Sequence, residues 1–178
     1  MKKITFDLRA SSVFGVQAKF LEMLPDLILR GYKIRVINKT KLNNEFMVIA
    51  RLESLILEKG MKDALSRANK YIDAGANGIM IHSKKKTPKE VFEFATKFRK
   101  KFKSIPLICV PSTYNSVKED DLIKKKFNIV IYANHLFRSA YPAMEKTAKE
   151  ILKYGRSKES DKSLISIKNI LKLIPGTD

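Results

Sequence analysis

The sequence has little of three residue types that often define a fold, with one cysteine, seven glycines and six prolines in 178 residues. The single thiol, Cys109, lies inside the apolar run "IPLICVP", so neither a disulfide framework nor a thiolate metal cluster is possible. We interpret Cys109 as a buried core residue. The scarcity of glycine and proline, with an apolar fraction of 44%, argues against a disordered or fibrous chain. A chain of this length is expected to bury one substantial core.

Long apolar runs are missing as well. No stretch approaches the ~20 apolar residues that a helix needs to cross a bilayer. The beginning of the chain, "MKKITFDLR", starts like a signal peptide but reaches Asp7 and Arg9 before a hydrophobic region forms. We therefore expect a cytoplasmic protein without a membrane partner.

Acidic residues are few: 18 aspartates and glutamates face 36 lysines and arginines, for a net charge of +18. Such an excess can mark a nucleic-acid binder, because lysines neutralise phosphates and release counterions. The lysines are spread over every segment, however, and no zinc-finger spacing, basic zipper or aromatic RNA-binding motif accompanies them. The pattern favours a solvated surface that attracts anionic metabolites over a nucleic-acid partner.

Phosphate-binding glycine motifs are absent too, since neither G-x-G-x-x-G nor G-x-x-x-x-G-K-[ST] follows any apolar run. What the chain does contain, from residue 46 onward, is an alternation of apolar runs with amphipathic helical segments. Four runs predict strands: "FMVIARLES", "ANGIMIHS", "IPLICVPSTY" and "NIVIYANH". Continuously apolar strands between helices predict a parallel sheet covered by helices, either an open doubly wound sheet or a barrel.

Each predicted strand ends on polar side chains. These are Arg51 and Glu53, His82 and Ser83, Ser112 and Tyr114, and Asn134 and His135. In both architectures ligands bind where the carboxyl ends of the strands converge. A lone His or Asn at such a place is more often a cap, and Asn134 could cap the following helix. Arg51 is costly to bury without a carboxylate or phosphate partner, so four strands ending this way favour a shared anion site.

At these residues the chain resembles the second half of the phosphoenolpyruvate mutases, in the isocitrate lyase and phosphoenolpyruvate mutase superfamily. The motifs that carry the resemblance are "FMVIARLESL", "AGANGIMIHSKKKTP", "ICVPSTY" and "IVIYANHLFRSA", in matching order between about Tyr32 and Leu173. The resemblance implies a (β/α)₈ barrel with a Mg²⁺ site that rearranges phosphoenolpyruvate to phosphonopyruvate, forming the C–P bond of phosphonates. Relatives hydrolyse phosphonopyruvate or cleave C–C bonds.

A complete barrel of this type has eight strands and typically ~250 residues. Four convincing strands therefore predict a partial barrel, its second half. We expect residues 1–31 to be an irregular or helical lead-in left from the gating-loop region and residues 32–156 to form the half barrel. Residues 157–178 then form a linker and a C-terminal helix that could be exchanged between subunits. Asp7, Glu22 and Asp26 are scattered and do not end predicted strands, so we expect no metal ligand in this chain.

The resemblance also assigns roles to residues. Arg51 and His82 match pocket residues that contact the phosphoryl group, and we take them as the catalytic candidates. The second-rank candidates for substrate binding are Glu53, Ser83, Ser112, Tyr114 and Asn134. His135 and Arg138 are assigned to the pocket wall or to a subunit interface. A guanidinium offers paired donors to phosphate oxygens, and an imidazole can donate or accept a proton beside them.

Three interpretations stay open at this point. The chain acts on phosphoenolpyruvate or phosphonopyruvate together with a separate polypeptide that supplies the first half and its Mg²⁺ ligands. Alternatively it is a truncated, inactive remnant that forms a homo-oligomer, because unpaired edge strands promote association. A phosphonopyruvate hydrolase is the third. The lyase branch is disfavoured, since its catalytic cysteine lies in a KKCGH-type loop and Cys109 lies on a strand.

Overall fold

A computed structural model of the chain describes residues 5–7, 31–43 and 45–173. The chain divides into two compact units, Met1–Ala133 and Asn134–Asp178. This division falls earlier than the predicted boundary after residue 156, so the helix that follows the last strand belongs to the second unit. The predicted lead-in, residues 1–31, lies outside the described residues except for a short strand and Gly31.

The first unit is built on a parallel sheet of five strands in the order β1-β2-β3-β4-β5. Helices α1 to α4 connect successive strands from β1 onward. Three of the strands, β2 to β4, reproduce the cores of predicted apolar runs, with ends trimmed by one to several residues. The bounds are β1 Thr5–Asp7, α1 Tyr32–Thr40, β2 Met47–Leu52, α2 Gly60–Asp73, β3 Gly78–Ile81, α3 Lys89–Lys101, β4 Leu107–Cys109, α4 Glu119–Lys124 and β5 Ile129–Val130.

Strand β1 corrects an expectation. It pairs in parallel with β2, and its last residue, Asp7, lies opposite Ile49. The expectation that Asp7 does not end a strand was therefore wrong. Three residues are too short for an apolar alternation to show in the sequence, so only the pairing with β2 reveals the strand.

The helices cover one face of this sheet because their apolar residues recur at helical spacing. Helix α2 buries Ala64, Ala68 and Tyr71, and α3 buries Val91, Phe94, Ala95 and Phe98. These side chains join one core with every second residue of the strands, such as Val48, Ala50, Leu52, Ile79 and Ile81. Gly75, at φ 97°, ends α2 in the left-handed conformation that glycine tolerates best.

The intervening strand residues form a separate cluster on the opposite face. It consists of Ile49, Met80, Ile108 and Val110, with the half-buried Met47 and Ile131 packed against it. Because strand side chains alternate between faces, each strand residue can be assigned to the helix-covered face or to this second face. The second face is the one that a closed barrel turns inward.

Strand β5 is shorter and more exposed than the sequence suggests. The run "NIVIY" predicts a buried strand, but only Ile129–Val130 is strand, and Ile129 is 44% exposed. Among the described strands β5 pairs only with β4, so one of its edges has no neighbour there. The prediction of a buried strand was wrong here because apolarity in the sequence cannot distinguish an edge strand from a central one.

The second unit is helical. Helix α5 (His135–Tyr154) has no buried residue, although many of its apolar side chains are large. A 3₁₀ helix, Lys158–Ser163, and a short α6, Ile167–Leu171, follow it. Ser160 donates a hydrogen bond to Glu150 of α5 at 2.9 Å. No helix among the described residues combines the length and apolarity needed to span a bilayer.

Candidate functional site

Arg51 and His82 lie on the same face of the sheet, at the carboxyl ends of adjacent strands. Arg51 follows Ile49 by two residues and His82 follows Met80 by two, and both Ile49 and Met80 belong to the second face. The register pairs Arg51 with Met80, so His82 lies one strand across and two residues further along. Adjacent strands are about 4.8 Å apart. Both side chains are half-buried. The register thus places the two catalytic candidates on one face of the sheet, at the ends of neighbouring strands.

An ion pair orients the Arg51 guanidinium. Its Nε lies 2.5 Å from Oε1 of Glu53, two residues further along the chain. Both partners are largely shielded from water, so the pair is stronger than an exposed one. Glu53, predicted to bind substrate, is placed to hold the Arg51 guanidinium in this ion pair.

Ser83 anchors the loop that follows His82. The side chain is fully buried and donates a hydrogen bond to the carboxylate of Glu90, in the first turn of α3. The backbone N–H of Lys85 donates to Ser83 Oγ at 3.1 Å, and Lys85 Nζ lies 2.8 Å from Oε2 of Glu90. The hydrogen bond that Lys85 donates to Glu90 raises the pKa of Lys85. Ser83 therefore fixes the loop to α3.

Two further contacts tie this loop to its neighbours. The Thr113 hydroxyl donates to the backbone carbonyl of Ser83 at 2.8 Å, which joins the loop after β3 to the loop after β4. Lys84 Nζ lies 2.7 Å from Oε1 of Glu58 in the loop after β2. The hydrogen bond from Lys84 lowers the pKa of Glu58, which has a left-handed backbone at φ 56°. Three loops at the carboxyl edge are thus linked to one another.

Tyr114 is placed away from this group. It is fully buried within the helix-side core, beside the equally buried Cys109. Burial raises the pKa of Tyr114 above its ordinary value and that of Cys109 to about 12. The prediction of a buried thiol is confirmed, whereas the structure places Tyr114 in the core and not beside Arg51 and His82. Ser112 is half-buried in the turn after β4, where its N–H donates to the Val110 carbonyl at 2.9 Å.

The remaining candidates belong to the second unit. Asn134 is exposed and precedes α5, with no hydrogen bond from its side chain to the helix end. The alternative that Asn134 acts as a side-chain cap is therefore not realised. His135 is half-buried and Arg138 is exposed on the first turn, where the Arg138 N–H donates to the Asn134 carbonyl at 2.9 Å.

The described residues do not fit a magnesium site. No group of three or more His, Cys, Asp or Glu side chains within the described ranges converges on a point that could hold a metal ion. Two carboxylates at the carboxyl edge, Glu53 and Glu90, are engaged with Arg51 and with Ser83 and Lys85. Mg²⁺ prefers several oxygen ligands in octahedral geometry, so ligands from elsewhere would be needed.

Sequence reasoning missed Glu90, Thr113, Glu58 and Lys84. Thr87 and Glu90 have the T-x-x-E spacing of a capping box, a signal that points to Glu90. The carboxylate bonds to Ser83 instead, however, and Pro88 flanks the helix without a side-chain capping bond. Thr113, Glu58 and Lys84 carry no local signal, because their contacts depend on how neighbouring loops pack.

Comparisons with known proteins agree with this architecture. A family profile described as phosphoenolpyruvate phosphomutase matches residues 22–152. The phosphonopyruvate hydrolase of Variovorax sp. (strain Pal2) is 37% identical over 142 residues, which cover 79% of this chain and 48% of the hydrolase. The phosphoenolpyruvate phosphomutase of Tetrahymena pyriformis is 36% identical over 135 residues, covering 76% of this chain and 42% of that protein.

Solved structures give the same result. The phosphoenolpyruvate phosphomutase of Streptomyces platensis subsp. rosaceus superposes with a TM-score of 0.76 at 25% identity, covering 96% of this chain and 58% of that one. A phosphonopyruvate hydrolase in complex with oxalate and Mg²⁺ gives 0.74 at 32% identity, with 96% and 58% covered. The chain therefore spans about half the length of the relatives it matches. The predicted resemblance and the predicted α/β partial barrel are confirmed.

Proposed function

The chain belongs to the phosphoenolpyruvate phosphomutase family, and from this we propose that its carboxyl edge binds a small phosphorylated or phosphonylated carboxylate. The proposed ligands are phosphoenolpyruvate and phosphonopyruvate, and the proposed reaction is their interconversion. One observation carries the proposal: Arg51 and His82 share a sheet face at adjacent strand ends. Arg51 contributes paired N–H donors to phosphoryl oxygens, and His82 holds or moves a proton beside them.

Turnover, in this proposal, requires groups that the described residues do not supply. The chain spans about half the length of its relatives, and the described carboxylates do not form a magnesium site. We propose that a separate polypeptide equivalent to the relatives' first half supplies the metal ligands. Alternatively, a second copy of this chain could associate with the edge of β5 that has no neighbour among the described strands.

Phosphonopyruvate hydrolysis is the second candidate reaction. It is favoured by the 37% identity to a phosphonopyruvate hydrolase over most of this chain. Hydrolysis and isomerisation would use the same phosphoryl contacts, and they differ only in whether water receives the phosphoryl group.

Anion binding is tested by calorimetric titration with phosphonopyruvate and with oxalate, in the presence of Mg²⁺. Arg51→Ala should weaken phosphonopyruvate binding by about 10- to 100-fold, the value of one or two charge-assisted hydrogen bonds. Arg156→Ala is a matched control, because Arg156 also pairs with a nearby glutamate, Glu159, at 2.6 Å. Equal affinities for wild type and Arg51→Ala would refute the proposed role of Arg51.

Turnover is tested by supplying the first half of a relative as a separate polypeptide. The chain alone with Mg²⁺ should show no conversion of phosphonopyruvate. Addition of a polypeptide covering the first half of a phosphomutase relative should restore it, with phosphoenolpyruvate as the product of a mutase, or pyruvate and phosphate as the products of a hydrolase. A lone chain that turns over would contradict the need for a second polypeptide. A mixture that binds phosphonopyruvate but never turns over would identify an inactive remnant.

A further inference from the structure

Six lysines lie at the amino edge of the sheet, where the strands begin, opposite the carboxyl edge that holds Arg51 and His82. Helices α3 and α4 run back along the sheet, so their last residues lie beside the starts of β4 and β5. We name this group the lysine edge. It comprises Lys100, Lys101 and Lys103, at the end of α3 and just beyond it, and Lys124, Lys125 and Lys126, at the end of α4 and just beyond it. All are exposed except Lys125, which is half-buried.

Arg99 clamps the two halves of the lysine edge together. Its Nη2 donates to the Lys126 carbonyl at 2.5 Å and to Asn128 Oδ1 at 2.6 Å. Its Nη1 donates to the carbonyls of Ile105 at 2.7 Å and Phe102 at 3.0 Å. The guanidinium is thus satisfied by neutral oxygens, so it adds positive charge to this edge without cancelling any.

Acidic residues are scarce in the two segments that carry the lysine edge. Residues 94–118 contain no aspartate or glutamate, and neither do residues 122–144. The acids between these segments, Glu119, Asp120 and Asp121, lie in the first turn of α4. Asp121 is 3.6 Å from Lys124, a loose contact in which Lys124 remains largely exposed. Like charges grouped on one surface create a positive potential around it. At physiological salt this potential decays over a distance of about 8–10 Å.

Helix dipoles account for part of this arrangement. Cations are favourable in the last turn of a helix, which explains Lys100, Lys101 and Lys124. They do not explain Lys103 and Lys126, which lie beyond the helix ends. Nor do they explain why Lys126, at φ 61°, occupies a left-handed conformation that glycine or asparagine adopts more easily. The hydrogen bond from Arg99 to the Lys126 carbonyl holds this backbone in place beside the end of α3.

We propose that the lysine edge binds the phosphate backbone of a nucleic acid without reading its sequence. A partner complementary to this group of cations needs closely spaced negative charges, and a nucleic acid backbone provides them. An anionic membrane is a poorer match because membrane-binding surfaces also insert apolar side chains. Among the described residues 97–129, Ile123 and Ile129 are the only large apolar side chains that are exposed. This inference is independent of the carboxyl edge and of the proposed reaction.

The test compares two variants that lose the same charge. One replaces three lysines of the edge, Lys100→Gln, Lys103→Gln and Lys126→Asn. The control replaces three exposed lysines of the second unit, Lys146→Gln, Lys158→Gln and Lys162→Gln. Fluorescence anisotropy measures binding of labelled 20-mer single strands and duplexes between about 50 and 200 mM salt, where backbone contacts lose affinity steeply. Circular dichroism establishes that both variants are folded.

Wild type should bind at low salt with an affinity that falls as salt rises. The lysine-edge variant should bind at least about tenfold more weakly, with a salt slope reduced by about 2–3, since each backbone contact contributes about 0.9. The control should bind within about threefold of wild type. Equal losses in both variants would show that net charge alone acts, and would overturn the proposal. So would absence of binding by wild type near 50 mM salt, or binding to anionic vesicles but not to either nucleic acid.

If the lysine-edge variant is unfolded, amide NMR of wild type gives the answer instead. Added oligonucleotide should shift the signals of residues 99–104 and 124–128 first. Shifts confined to other residues would overturn the proposal.

Discussion

The cationic side chains at the two edges of the sheet in the first unit differ in whether their partners are charged. At the carboxyl edge three cations have carboxylate partners: Arg51 pairs with Glu53, Lys84 with Glu58, and Lys85 with Glu90. At the amino edge Arg99 is satisfied by carbonyl oxygens, and the segments that carry the surrounding lysines contain few acids. Cations paired with carboxylates hold the loops in place, and their remaining N–H groups can bind a ligand only at short range and in defined directions. Unpaired cations create a field that extends further from the protein.

The Arg99 clamp should give the largest effect on stability. Arg99→Ala removes several hydrogen bonds at once and leaves partly buried carbonyls without donors, so it should lower the free energy of unfolding by about 2 kcal/mol. Urea denaturation measures the loss. Arg156→Ala, which removes an exposed pair, should cost less than about 0.5 kcal/mol. Similar losses in the two variants would mean that Arg99 is not a clamp.

Ser83 should come next, because it links loop position to ligand binding. Ser83→Ala leaves the Glu90 carboxylate without a buried donor and should lower the free energy of unfolding by about 1.5 kcal/mol. It should also weaken phosphonopyruvate binding severalfold by loosening the loop after His82. Ser83→Thr, which keeps the hydroxyl, should recover part of the affinity if the extra methyl is tolerated. An affinity that Ser83→Ala leaves intact would limit the network to a structural role.

Substitution of Glu53 distinguishes a residue that pairs with Arg51 from one that contacts the ligand. Glu53→Gln keeps the shape of the side chain but removes its charge, so it frees Arg51 from a strong partner while leaving a hydrogen-bond acceptor. We expect a change in phosphonopyruvate affinity of no more than about tenfold, smaller than that of Arg51→Ala. A loss as large as that of Arg51→Ala would mean that Glu53 itself contacts the ligand.

The exposed pair of Glu58 and Lys84 should give the smallest effect. The pKa of Glu58 is lowered in the folded protein by the hydrogen bond from Lys84. Its contribution to stability is therefore present above the ordinary glutamate pKa of about 4.3 and is lost as the pH falls through the lower folded value. Wild type should exceed Glu58→Gln in melting temperature at neutral pH by a small margin that disappears in acid. A margin that grows in acid would have the wrong sign.

The sequence reveals elements wherever a long periodic pattern specifies them. Helices α2 and α3 and strands β2 to β4 are predictable from apolar spacing, because their burial is repeated over several turns or residues. Strand β1 is too short to show such a pattern, and the exposure of β5 depends on its lack of a described outer neighbour. Those two features become visible only when the strand order is known.

The candidate site follows the same division. Arg51 and His82 are recognisable because Arg51 lies at the end of β2 and His82 directly follows β3, both on the face opposite the helices. Tyr114 follows a strand too, but the turn after β4 directs it into the core, a change of direction that the sequence does not display. Glu90, Thr113 and Arg99 act through contacts with residues 6 to 30 positions away. Such contacts arise from tertiary packing and have no local signature.

The most direct test of the account follows the two histidines during a phosphonopyruvate titration with Mg²⁺. The chain contains only His82 and His135, so their ring signals are assigned with one His135→Gln variant. The His82 ring and the Arg51 side chain should shift together and saturate at one affinity, while the backbone amides of Lys100, Lys101 and Lys103 stay in place. Shifts at those lysines with His82 unmoved would contradict an anion site formed by Arg51 and His82.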